Sequence, residues 1–295
     1  MLIDSHNHVN YVGLDAKGVI DEMDRFGIDV AWILTWYLPP SQDVDRSAGG
    51  FSPLNYRTDG THAGATLDHI LEARDRWPDR IVPGYCPCPF EGDAALLFET
   101  AWEMHGVRVC GEWSYRMLLD DPRALQLFWK AGELGAPVVL HLDVPFLPDA
   151  DGDPVYQQNW YGGGAEPLER TLKACPDTII VGHAPGFWRY ISGDEPTASA
   201  SYPSGPVTPG GILHRLMDEY PNLWADLSAG SAYTAISRDM DLGREFILKH
   251  QDRLLFGRDD KGDKLQQFLP TLDLPQDVME KLCFKNALRL VPMDR

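Results

Sequence analysis

No stretch of this 295-residue chain is apolar over the roughly twenty residues that a membrane-spanning helix needs. The opening Met1-Leu2-Ile3-Asp4 lacks the basic segment followed by an apolar one that marks a secretory signal, so a cytoplasmic protein is expected. Cysteine is scarce, and its five copies are an odd number scattered through a chain too large to need staples. That excludes a disulfide scaffold and points to reduced thiols. Positive charge is also short. Lys and Arg total 26 against 44 Asp and Glu, for a formal net charge of −18. Without a basic run, such a chain is a poor ligand for a polyanion, which sets nucleic acid aside as a partner. There is no low-complexity tract and no linker-like break, so residues 1–295 are read as a single domain. Hydrophobic residues make up 44%, ample for one large core.

What is present is an alternation of short apolar runs with helical patterns. Val19, Ile20, Met23 and Phe26 recur at helical spacing and stop at Gly27. Val30 to Leu34 then reads as a strand covered on both faces. Further helices are predicted over 67–77, 94–104, 121–135, 168–175 and 211–220, with another ending at His250 and a closing one over 277–290. Further strands are predicted over 81–86, 107–112, 137–141, 178–183, 223–227 and 253–257. Residues 36–64, 142–164 and 184–210 read as long loops rich in Gly, Pro, Asp and aromatic residues. Eight strands alternating with helices predict an α/β fold with a parallel sheet, and that many repeats in under 300 residues suit a closed (β/α)8 TIM barrel. The open doubly wound sheet is the alternative, but no Gly-rich phosphate turn follows the first strand.

The first strand ends in His6-Asn7-His8. Side chains alternate faces along a strand, so His6 and His8 point the same way and can grip one metal ion. Later strand ends add Glu112, His141, His183 and Asp259. His141 and His183 lie one strand-helix unit apart, and His183 and Asp259 two. In such a barrel the catalytic residues sit at the C-terminal ends of the strands. Four histidines and two carboxylates on one rim make a metal site by residue type. A divalent ion there would activate water and polarise a carbonyl or phosphoryl oxygen, and a neighbouring carboxylate, Asp259, would move the proton.

The blocks Asp4-Ser5-His6-Asn7-His8, Leu140-His141, Val181-Gly182-His183-Ala184-Pro185-Gly186 and Leu255-Phe256-Gly257-Arg258-Asp259 resemble the signature blocks of the amidohydrolase superfamily. The chain is most similar to the amidohydrolase-related branch that includes aminocarboxymuconate-semialdehyde decarboxylase. The ending Lys285-Asn286-Ala287-Leu288-Arg289-Leu290 is similar to that branch's Asn-Ala-x-Arg-Leu close. The resemblance implies a distorted (β/α)8 barrel holding zinc, or manganese, at its mouth. It implies His6, His8, His141 and Asp259 as metal ligands, with His183 binding a second ion or activating water.

Two positions depart from that branch. Glu112 stands where binuclear members carry a bridging ligand and resembles the Gly-Glu block of TatD-type nucleases, so one or two ions are expected. The alternative is a salt bridge from Glu112 to Arg116 or Arg258. Arg258 replaces a small residue and is expected either to clamp a substrate carboxylate or phosphate, or to be turned away as an ion-pair partner. Aromatic residues that follow strand ends (Trp36, Tyr37, Trp113, Tyr115, Trp160, Tyr161, Phe187 and Trp188) suit a ring-shaped or sugar-like small molecule, with Trp113 and Trp188 taken as substrate-binding. Cys86 and Cys88 read as pocket lining, and His62, His69, His105, His214 and His250 as solvated or capping.

The function expected is a metal-dependent hydrolase acting on a small organic acid, lactone, ester, amide or sugar derivative, with Asp259 and His183 catalytic. The alternative is non-oxidative decarboxylation of an aromatic or unsaturated acid at one metal. A TatD-like nuclease comes third, and a non-catalytic ligand-binding barrel is the different class. The partners expected are a small-molecule substrate and a second copy of the chain, with no nucleic acid and no membrane.

Overall fold

The computed structural model describes residues 1–42, 50–194 and 200–293. Its frame consists of parallel strands β1 (Ile3–Asn7), β2 (Val30–Ile33), β3 (Ile81–Pro83), β4 (Cys110–Trp113), β5 (Val138–His141), β6 (Ile180–His183), β7 (Leu223–Asp226) and β8 (Leu254–Leu255). Regular pairing groups the first three into one sheet and the last five into another. Backbone hydrogen bonds cross both seams between them. Tyr85 N donates to Val109 O at 2.9 Å and Arg108 N to Pro83 O at 3.0 Å, joining β3 to β4. Ser5 N donates to Phe256 O at 2.9 Å and Asp259 N to His6 O at 2.8 Å, joining β8 back to β1. The strands thus form a ring, the TIM barrel expected from the alternation.

Local signals account for the outer layer. The helix Ala16–Phe26 is capped by Asp15, whose side chain accepts from Gly18 N at 2.7 Å, and it ends at Gly27 with φ 67°. The helix Pro122–Leu134 repeats the device with Asp121, Pro122 in its first turn, and Gly135 at φ 73°. Only glycine takes that left-handed termination without steric cost, so these helices stop where the chain must turn back to a strand. Val19, Ile20 and Met23 pack with Ala31 and Ile33 of β2 outside the barrel, while Val30, Trp32 and Leu34 fall in the inner cluster. Both faces of the strand are therefore buried, which explains its unbroken apolar run.

The inner cluster takes Ile3, Trp32, Val82, Val109, Val139, Val181, Trp224 and Leu255, one from each strand or its edge, and is plugged by Ala287 and Val291 of the C-terminal segment. Two residues further along, period-two alternation brings His141, His183 and Asp226 to the same interior, one layer nearer the strand ends. Strands β1 and β4 reach it differently. Their pairing registers shift between Asp4 and Asn7 and between Cys110 and Trp113. The interior parity moves from Ile3 to His6 and from Val109 to Glu112 across these irregularities.

Some elements differ from the sequence expectation. The loop 36–64 contains a two-residue strand, Trp36–Tyr37, paired antiparallel with Gly64–Ala65, and residues 43–49 of it lie outside the described residues. The loop 142–164 carries a hairpin, Phe146–Pro148 with Pro154–Tyr156. The loop 184–210, of which 195–199 lie outside the described residues, starts with the short helix Pro185–Trp188. A helix at Ala229–Ser237 was not expected, because its Ala, Gly, Ser and Thr residues give little apolar periodicity. The closing helical segment runs Gln276–Leu290 with a π-helical turn at Lys281–Lys285. Among the described residues no helix is long and apolar enough to cross a membrane.

Arg258 fixes the β8–β1 seam. Its backbone N–H donates to Asp4 Oδ1 at 2.8 Å and its Nε to Asp4 Oδ2 at 2.8 Å, with Asp4 fully buried. Removing one partner of a buried pair strands the other's charge, at a cost of ~3–5 kcal/mol. Arg258→Met is therefore expected to lower unfolding stability by about that amount in denaturant titration, and an unchanged midpoint would refute the seam's importance.

Candidate metal centre and active-site cavity

Six buried ionisable side chains meet at the C-terminal end of the barrel: His6, His8, Glu112, His183, Asp226 and Asp259, each less than a tenth exposed. Asp226 sits beneath the others. Its Oδ2 accepts from His6 Nδ1 at 2.8 Å and its Oδ1 from His183 Nδ1 at 2.9 Å. Ser228 supports Oδ1 with its backbone N–H at 3.1 Å and its hydroxyl at 2.5 Å. His8 Nδ1 donates to Leu34 O at 2.8 Å. Each of these imidazoles is thus held by Nδ1, which turns Nε2 toward the cavity, the arrangement that orients a metal-ligating histidine.

Four of the atoms so aimed have no hydrogen-bond partner among the described residues: His6 Nε2, His8 Nε2, Glu112 Oε2 and Asp259 Oδ1. His8 Nε2 lies 3.3 Å from both Glu112 Oε2 and Asp259 Oδ1, and His6 Nε2 lies 3.6 Å from Glu112 Oε1 and 3.9 Å from Asp259 Oδ1. Buried polar atoms are ordinarily satisfied, so four orphans converging on one point call for a shared partner. Mixed imidazole and carboxylate donors fit a divalent transition metal. The donor atoms of His6, His8 and Asp259 lie within 4.8 Å of one another, as do those of His6, Glu112 and His183.

Glu112 faces both groups. Its Oε2 looks toward His8, while its Oε1 lies 2.9 Å from His141 Nδ1 and 3.8 Å from His183 Nε2. It pairs with neither Arg116 nor Arg258. Arg116 bonds Gln158 O, and Arg258 is committed to Asp4. His141 stands beside the cluster with both ring nitrogens engaged, Nδ1 by Glu112 and Nε2 by Asp143 Oδ2 at 3.1 Å. It is outside the two tight donor groups, with its Nδ1 turned to Glu112 Oε1.

Electrostatics bind this cluster together. Burial pushes the His8 imidazolium down, but the adjacent carboxylates of Asp259 and Glu112 outweigh it and lift the group to about 10. Burial likewise lowers His141, and Glu112 with Asp143 raises it to about 9. Burial raises the carboxyls of Glu112, Asp226 and Asp259, yet the surrounding imidazoles hold all three well below the usual carboxylate range.

Above the cluster opens a cavity of about 450 Å³. Tyr11, Trp36 and Phe51 form one wall, with ring centroids 5.1 to 5.8 Å apart, and Trp36 also packs 5.1 Å from His141. Tyr161, Tyr202, Asp143 and Asp260 add to the lining. A larger groove of about 780 Å³ involves Met23, Asp29 and Arg80, and none of the clustered groups lines it.

Three substrate-binding expectations need correction. Trp113 follows Glu112 and therefore points to the opposite face, where it packs 5.1 Å from Tyr115 and 5.0 Å from Phe128 in the helix layer. Trp188 donates from Nε1 to Asp226 O at 3.2 Å and packs against Phe187 and Phe246. Arg258 is the inward ion-pair partner described above, and none of the three lines the cavity. Cys86 and Cys88 belong to the cluster between strands and helices. His62 bonds Ser52 O and Gly64 N in its own loop, and His250 is buried rather than solvated. Asp226, Asp143, Tyr11, Phe51 and Tyr202 were not singled out as site residues in the sequence. Only Asp226 had a usable signal, as a carboxylate ending a strand.

The amidohydrolase family model matches residues 3–293. Solved structures with similar folds include an uncharacterized TIM-barrel protein from Bordetella bronchiseptica (16% identity, 98% of each chain covered, TM-score 0.62). They also include the 5-carboxyvanillate decarboxylase LigW from Sphingomonas paucimobilis (16%, 99% of each chain, TM-score 0.63). A third is a candidate 2-pyrone-4,6-dicarboxylic acid hydrolase from Pseudomonas putida (16%, 98% of this chain and 96% of that one, TM-score 0.57). No curated protein matches the chain in a sequence search.

Loss of a carboxylate that orients metal-ligating histidines typically weakens metal binding about 10- to 100-fold. Asp226→Asn is expected to lose zinc affinity by that factor in chelator competition, with the far-UV circular dichroism unchanged. Retained affinity would separate Asp226 from metal binding. Because metal must displace protons from His8 and its neighbours, uptake near pH 7 is expected to release protons and to weaken as pH falls. Calorimetry in buffers of different ionisation enthalpy reads this directly, and equal heats across buffers would contradict it.

Proposed function

The chain belongs to the amidohydrolase family, and from that premise we propose that it is a metal-dependent hydrolase cleaving a C–O or C–N bond in a small lactone, ester, amide or sugar derivative. The observation that carries this reading is Glu112, a buried carboxylate whose Oε2 faces His8 and whose Oε1 faces His6, His141 and His183. His6, His8, Asp259 and Glu112 Oε2 would hold one ion, and Glu112 Oε1 with His183 and His141 a second. Zinc or manganese bound there supplies Lewis acidity toward water and toward the substrate's carbonyl oxygen.

The chain's own residues do the rest. Asp226 and Leu34 O keep the imidazoles aimed, so no reorganisation is needed when substrate enters. Asp259 is held ionised by the imidazoles around it and accepts the proton of the attacking water, then returns it to the leaving oxygen or nitrogen. His183 Nε2, the ring nitrogen left free by Asp226, lies 3.3 Å from Asp259 Oδ2. The aromatic wall excludes bulk solvent and presents flat faces to the substrate.

Decarboxylation, which the Sphingomonas neighbour's name describes, places a substrate carboxylate over the centre. Glu112 opposes that charge, and Arg258 is already paired with Asp4. Elemental analysis of protein purified without chelator is expected to find about two ions per chain, and about one in Glu112→Gln. Chelation is expected to abolish turnover and added zinc or manganese to restore it. One ion in both proteins would instead favour the decarboxylase, and none in either would leave a ligand-binding barrel.

A further inference from the structure

Carboxylates outnumber imidazoles around the cavity. Asp143, Asp259 and Asp260 line it, Glu112 lies beneath, and no Lys or Arg lines it among the described residues. Metal ions held at the centre would offset Glu112, Asp226 and Asp259. Asp143 is matched by the His141 imidazole, which leaves Asp260. Asp143 is paired with His141 alone, and Asp260 has no ion pair among the described residues. Asp260 is exposed at the mouth, where an entering substrate passes it. Tyr11, Trp36 and Phe51 also line it, rings whose faces carry negative quadrupole charge. Among the described residues, the lining beyond the metal centre and the Asp143–His141 pair therefore favours positive charge, and the chain's net charge of −18 does the same at longer range.

We propose that this pocket selects a small ring-bearing substrate with a cationic amine end and discriminates against carboxylates. The proposal rests on the hydrolase reading for the fate of the substrate, but its recognition step is independent of that reading. The scissile group lies over His183 and Asp259, the ring lies against Trp36, and the ammonium lies toward Asp260. The selectivity is opposite to what the named substrates of the Sphingomonas and Pseudomonas neighbours, a carboxyvanillate and a dicarboxylic acid, require of their sites.

The test uses the metal-loaded full chain and three probes of matched shape: benzylamine, benzyl alcohol and benzoate. Binding is read by calorimetry and by quenching of tryptophan fluorescence, since Trp36 lines the cavity. Benzylamine is expected to bind most tightly and benzoate most weakly, with about a threefold step per unit of charge, the size expected for charges several ångströms apart near a solvated surface. Asp260→Asn is expected to weaken benzylamine about threefold and leave benzyl alcohol unchanged, and 1 M salt to compress the series. Benzoate binding as tightly as benzylamine, no binding of benzylamine, or an Asp260→Asn effect equal for all three probes overturns the proposal. Failure of the hydrolase reading shows elsewhere, as a missing second metal ion with the charge order intact.

Discussion

The structure turns on one carboxylate that touches no substrate. Asp226 divides its two oxygens between His6, from the first strand, and His183, from the sixth. Each bond keeps Nδ1 as the donor, so Nε2 is the nitrogen that gives up its proton to take a metal. Two imidazoles that could rotate freely would make an indifferent metal site. Tied to one buried anion, they become converging donors. The indole N–H of Trp188, which donates to the Asp226 carbonyl, and the hydroxyl of Ser228 lock Asp226 in turn. Rigidity thus passes from the helix layer through β7 to the centre.

Much of this was legible in the sequence, for a physical reason. In β5, β6 and β7 the alternation is regular, so His141, His183 and Asp226 follow two residues after Val139, Val181 and Trp224 and share their interior face. In β1 and β4 the register shifts, and there the chemistry of His6, His8 and Glu112 was a better guide than parity. The aromatic residues misled because proximity to a strand end does not set direction. Trp113 and Trp188 follow strand ends but are buried among helices, whereas Tyr11, Phe51 and Tyr202 come from loops whose course no periodicity encodes. Arg258 was ambiguous because its partner, Asp4, lies at the other end of the chain.

Charge is arranged in layers. The buried centre sets carboxylates against imidazoles, and each kind holds the other in its ionised form against the cost of burial. The seam below it pairs Asp4 with Arg258 and so leaves Arg258 no part in the cavity. The mouth keeps Asp143 and Asp260. A single arginine turned inward rather than upward therefore changes what the cavity can receive, although its neighbour Asp259 belongs to the centre.

The seam between β8 and β1 also sets an order of events. His6 and His8 are synthesised well before Asp259 and the Arg258 that locks the seam, which follow some 250 positions later. Until then the first strand has an open edge and its histidines lack an acidic partner from β8. A contact of such sequence separation is slow to form by chance and cannot form at all on a partial chain. The centre can therefore be complete only once β8 and the residues after it have been synthesised, so a product truncated before them is spared a finished metal site.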